Sequence, residues 1–173
     1  MRSTSPSAID SLFLAVLPAR HALALADACA RDDSLVERND IRALWLMGAA
    51  HRAAGQPDEA ERHLHKALER CRRANLVEME ANVLIDLARL RAAAGVMDEA
   101  QRLAQEAEVI TGNSYIVPRA DAHLELAKLA FARGDKITAR EHAQKAKDLA
   151  TCDGPPDYTY KAAYDEAEVL LRG

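Results

Sequence analysis

Three stretches of this chain line up on a glycine, and that register limits the possible folds more than any other feature. Ala53-Ala54-Gly55-Gln56-Pro57-Asp58-Glu59-Ala60 is followed by Ala93-Ala94-Gly95-Val96-Met97-Asp98-Glu99-Ala100, and then by Ala132-Arg133-Gly134-Asp135-Lys136-Ile137-Thr138-Ala139. The glycines are 40 residues apart (55 to 95) and then 39 (95 to 134). A fixed period of this length means that one supersecondary unit is repeated and stacked. Before each glycine runs a helical face: Leu44, Met47, Gly48 and His51; Leu84, Leu87, Ala88 and Arg91; His123, Leu126, Ala127 and Ala130. The i, i+3, i+4, i+7 spacing is the helical period, and these positions are mostly small or apolar. After the glycines come Ala60, Leu64 and Ala67, then Ala100, Ala104 and Ala107, then Ala139, Ala143 and Ala146. These small side chains let two helix backbones approach closely.

The turn between the two helices follows from the same residues. Glycine accepts the left-handed conformation that ends a helix sharply. Asp58-Glu59 and Asp98-Glu99 then put carboxylates in the first turn of the next helix, where the helix dipole favours them, and Asp135 is expected to serve the same end in the third copy. The second connection between copies, Thr111-Gly112-Asn113-Ser114, reads as a loop. The first, Asn75-Leu76-Val77, is short, so the first copy is expected to have the longer helices.

The pattern Leu44, Met47-Gly48, His51, Gly55, Ala60, Leu64, Ala67, with Trp45 beside it, resembles the tetratricopeptide-repeat signature. Three copies from about Ile41 to Ala150 agree in register, although the usual period is 34 residues. The resemblance implies an all-α fold: a right-handed superhelical α-solenoid of antiparallel helix pairs, in a single domain over residues 1–173. Its parts would be a degenerate N-terminal helix pair (8–32), repeats at 37–75, 77–112 and 117–151, and a capping helix (157–172). In the N-terminal pair Ser7 stands where it could cap the first helix. The last helix, from about Tyr158 to Leu171, would put Tyr160, Ala163, Ala167 and Leu170 on one face. The long period and the tail CDGPPDYTYKAAYDEAEVLL are similar to repeat arrays of bacterial signalling proteins.

Composition narrows the function. Of 173 residues 49% are hydrophobic but only 4% aromatic, so the apolar mass is chiefly Ala and Leu; 29% are charged and the net charge is -4. Such a surface offers no bulk attraction to nucleic acid or to an anionic membrane. The run Arg70, Arg72, Arg73 reads as a helix end, where cations suit the dipole. No stretch approaches the roughly 20 apolar residues needed to span a bilayer, and the N-terminal apolar run is too broken for a signal peptide. A cytoplasmic protein is expected. The three cysteines, Cys29, Cys71 and Cys152, have no CxxC spacing and read as small buried thiols.

No catalytic constellation stands out. There is no GxSxG or phosphate-binding loop, and the carboxylates read as solvated faces. His63 and His65 are two apart and point to different sides of a helix, and His51 is expected to pack between helices. No metal and no cofactor is expected.

Family resemblance implies that the first helix of each pair lines the binding surface. Its outward positions here are Arg42, Trp45, Ala49 and Arg52; Asn82, Ile85, Asp86 and Arg89; and Asp121, Leu124, Glu125, Lys128 and Phe131. The carboxylate clamp of chaperone-tail binders is missing from them. Trp45, Ile85, Leu124 and Phe131 are the expected apolar anchors, with Asp86, Asp121 and Glu125 facing basic groups of a bound peptide or protein. The function expected is therefore a non-catalytic interaction scaffold, with a peptide- or ligand-gated regulator or a secretion chaperone as alternatives, and with self-association open through the terminal faces of the array.

Overall fold

The computed structural model describes residues 33–172, and its regular elements are helices. Among the described residues they number seven: α1 (Asp33–Ala53), α2 (Pro57–Arg73), α3 (Val77–Ala93), α4 (Met97–Thr111), α5 (Ile116–Ala132), α6 (Lys136–Ala150) and α7 (Lys161–Arg172). The fold is all-α and built of helix pairs, as the repeat predicts. Ser7, Cys29 and the expected helix pair at 8–32 lie outside the described residues. The first pair does have the longest helices, with 21 residues in α1 against 17 in α3 and α5.

Each helix pair is closed by the same hydrogen-bonded turn. Gly55, Gly95 and Gly134 have φ of 70°, 78° and 78°. In the first turn Gln56 N–H donates to the His51 carbonyl (2.9 Å) and Gly55 N–H to that of Arg52 (3.0 Å). This is the Schellman arrangement, which satisfies carbonyls that a helix end leaves over. Val96 and Gly95, then Asp135 and Gly134, repeat it on Arg91, Ala92, Ala130 and Phe131. The short connection from α2 to α3 uses it too, with Asn75 at φ 52° in place of glycine. Asp135 goes beyond its expected dipole role: its carboxylate accepts from Thr138 N–H (3.1 Å) as the N-cap of α6.

The helices fall into two compact units that divide after Leu76. In the first, α1 and α2 bury Ile41, Ala43, Leu44 and Met47 against Ala60, Leu64, Ala67 and Cys71. A Cβ added at Gly48 would lie 2.6 Å from Leu64 Cγ, so a side chain at 48 and leucine at 64 compete for the same space. At the other end of the pair Arg70 donates from Nε to Glu37 (3.0 Å) and from Nη2 to Asp40 (3.3 Å). The basic run is thus a helix end, as expected, with Arg70 tied to α1 and Arg73 Nη2 3.9 Å from the same Glu37. Cys71 is fully buried, whereas Cys152 is only half-buried.

In the second unit the first helices stack on one another. α3 packs on α4 and α5, and α5 packs also on α6 and α7. Consequently α3 and α5 are buried on several sides, while α4 and α6 bury narrow stripes of alanine. The array ends in a cluster of Ala120, Leu124, Ala146, Ala150, Ala163 and Ala167, with Tyr160 and Leu170 packed against it. The predicted face of the last helix is therefore present. Its start differs: Tyr158 pairs with Thr151 in an isolated antiparallel bridge, and Thr159 N–H donates to the Ala150 carbonyl (2.8 Å). Those bonds keep the backbone out of the helix until Lys161, three residues later than the pattern of apolar residues suggests.

Candidate functional site

The expected binding residues of the second unit sit where α3, α5 and α7 meet. Helical spacing brings Asp86 and Arg89 to one side of α3, and Asp121, Glu125 and Lys128 to one side of α5. Arg89 donates from Nε to Glu125 Oε1 (2.9 Å) and from Nη1 to Asp86 Oδ1 (3.4 Å). Lys128 Nζ donates to the same Glu125 oxygen (3.0 Å) and lies 3.1 Å from Glu166 of α7. The Tyr160 hydroxyl contacts both Asp121 oxygens, at 3.0 and 3.1 Å.

This arrangement corrects the expectation that the carboxylates form solvated faces. Asp86 is 3% exposed and Glu125 6%. A buried charge is tolerated only when paired and hydrogen-bonded, and Arg89 supplies that pairing. Burial works to lower the Arg89 pKa, but Glu125 and Asp86 hold the guanidinium firmly protonated, well above its ordinary value. Burial raises Asp121 above the usual carboxylate range, against the opposing pull of Arg89 and Tyr160. The Tyr160 hydroxyl is pushed up to about 12 by burial and by Asp121.

Two expected anchors are core residues instead. Ile85 is 2% exposed and Leu124 1%. Another first helix packs on α3 and on α5, and Leu124 belongs to the terminal cluster with Ala146, Ala150, Ala163 and Ala167. Asn82 is half-buried, and of the apolar anchors expected in this unit Phe131, at 46% exposure, is the one that faces solvent. In the first unit Arg42 is exposed, while Trp45, Ala49 and Arg52 are half-buried. Tyr160 and Glu166 join the face without having been singled out for it. A signal existed for Tyr160, which stands one repeat length, 39 residues, after Asp121.

Histidines make two further clusters. In the first unit the His51 and His63 rings stack with centroids 5.3 Å apart and 3° between planes. Glu59 Oε2 lies 3.9 Å from His63 Nε2. In the second unit His123 Nδ1 is 3.1 Å from His142 Nδ1, and Glu108 is 3.6 Å from His123 Nε2. His51 does pack between helices, as expected, but its partner is another imidazole. A cleft of about 120 Å³ beside His142 is lined by Gln101, Leu126, Leu129, Arg133 and Asp135.

Among the described residues no helix is long and apolar enough to cross a membrane. Residues 40–108 match a family model described as tetratricopeptide repeat, which covers most of the first two helix pairs. No curated protein matches the chain.

Proposed function

We propose that this tetratricopeptide-repeat protein is a non-catalytic interaction module that takes a peptide or partner-protein segment on the first-helix face of residues 77–172. Repeats of this family generally mediate protein–protein interaction. The observation that supports the site is the ordered charge network beside an exposed aromatic ring. Four carboxylates (Asp86, Asp121, Glu125, Glu166) stand with two cations (Arg89, Lys128), which leaves the face acidic. Arg89 and Lys128 are held by partners in the fold, so little side-chain freedom remains to be lost on binding. Phe131 stands three residues beyond Lys128 on α5 and would serve as the anchor, since aromatic side chains carry a large share of interface energy. The partner segment would then carry basic and apolar residues, and its setting would be bacterial signalling or regulation, on the strength of the tail and the long period.

The test is affinity capture from source cells with the wild-type chain and with Phe131→Ala and Glu166→Lys. Both side chains are exposed enough to change without disturbing the core. Each substitution is expected to weaken retention of the same partner about tenfold or more. A partner retained equally by all three chains would rule this face out.

A further inference from the structure

We propose that His51, Glu59 and His63 form a binding site for a divalent transition-metal ion of the zinc, nickel or copper class. The three residues come from both sides of the first glycine turn: His51 from the last turn of α1, Glu59 from the first turn of α2, and His63 one turn further along α2. Each offers a ligand atom, and the three atoms all lie within 4.8 Å of one another. Two imidazoles and a carboxylate are a ligand set suited to these ions. Ligand atoms sharing a tetrahedral ion at about 2.0–2.1 Å stand roughly 3.4 Å apart, so a small contraction closes the site. The Glu59 side chain is half exposed and can make it on leaving Arg62.

The hydrogen bonds around the rings favour the protonation that a ligand needs. Gln56 Oε1 can only accept, so its 2.7 Å contact means that His51 Nδ1 carries a proton, and in the neutral ring the lone pair is then on Nε2. A ligating histidine whose other ring nitrogen donates to an oxygen is the usual supporting arrangement. Arg62 Nη2 can only donate, so the His63 nitrogen 3.1 Å from it, Nε2, also keeps a lone pair. His63 is 7% exposed, and its Nδ1 is buried without a hydrogen-bond partner. Arg62, hydrogen-bonded to Glu59, now occupies the approach with its own charge. Its side chain is 62% exposed and can rotate away. Arg62 is therefore a built-in competitor of the ion.

The untagged full chain, stripped with chelator, would be titrated with Zn²⁺ and with Co²⁺ by calorimetry, with the cobalt absorption spectrum and the melting temperature recorded in parallel. Saturable binding of one ion per chain is expected, with a rise in melting temperature. Glu59→Gln and His51→Ala should each weaken it about tenfold or more, and Arg62→Gln should tighten it severalfold by removing the competing cation. His65→Ala tests the exposed Glu61–His65 pair on the same helix and should change nothing. The proposal is overturned by the absence of saturable binding, by unchanged affinity in Glu59→Gln and His51→Ala, or by loss of binding with His65→Ala instead. Glu59 and Arg62 are both exposed, so these variants separate a lost ligand from a lost fold.

Discussion

The first and third repeats share one backbone plan and fill it differently. Where the helices of the first pair cross, Gly48 accommodates Leu64. The same register positions of the third pair, seven before and nine after the turn glycine, hold Ala127 and Ala143, both fully buried. Glycine with leucine brings two more side-chain carbons to the crossing than alanine with alanine, so the first pair fills it from one side only and the third from both, each close-packed in its own way. The histidines contrast in the same way. His63 and His142 both lie eight residues after the turn glycine, but His63 meets His51 close to the turn, and His142 meets His123 about two helical turns deeper. Depth decides their chemistry. Near the turn the pair reaches an exposed glutamate; deeper in, His123 is 1% exposed. Burial pushes its pKa well below the usual value, although Glu108 pulls the other way.

The sharpest way to break this comparison is to exchange the crossing residues. Leu64→Ala alone should cost about 3 kcal/mol by urea unfolding, through the cavity it leaves. Gly48→Ala alone should cost about 1–2 kcal/mol, overpacking outweighing the gain in helix propensity. The double variant recreates the Ala/Ala crossing of the third repeat. It should be destabilised by at least about 1 kcal/mol less than the sum of the singles; strict additivity would mean that the two sites do not share one space.

The next test is pH. A base kept neutral by folding lets the unfolded chain take up a proton first. The stability owed to His123 is therefore complete above about pH 6.5 and is lost as pH falls below it, with a slope of up to about 1.4 kcal/mol per pH unit for each such proton. His142 and His63 are lowered in the same direction, burial being the leading cause for each. Urea unfolding between pH 7.5 and pH 5 should show His123→Asn flattening this acid-side slope more than His63→Asn. An equal effect from both would show that depth is not what separates the pairs.

The smallest expected difference is at the turns. Asp135 caps α6 with its side chain, whereas Gln56 makes no such bond to α2. Asp135→Ala should cost about 1 kcal/mol and Gln56→Ala distinctly less, measured by the same unfolding curves.

How much of this could be read beforehand depends on the range of each interaction. The three glycine turns were legible because a positive φ is a demand made by one residue on its own backbone. Asn75 makes the same turn at 52° but carries a weaker signal. The start of the last helix was misplaced because Tyr158 and Thr159 bond to residues seven to nine positions back, which overrides their helical pattern. Among the residues expected to bind, Phe131 is exposed as the register suggests, while Ile85, Leu124, Asp86 and Glu125 are buried. Helical spacing says which residues share a face, and is silent on what covers that face.

By itself, then, the sequence determined the period, the helix pairs and the turns that close them, since these rest on local conformational preference and on spacing within one helix. Tertiary structure alone decided that Ile85 of α3 and Leu124 of α5 are buried, that Arg89 neutralises carboxylates from two helices, and that His51 meets His63 beside Glu59. Contacts across a turn or 36 residues apart depend on how the helices stack, and burial then sets both the charge and the availability of every group they bring together.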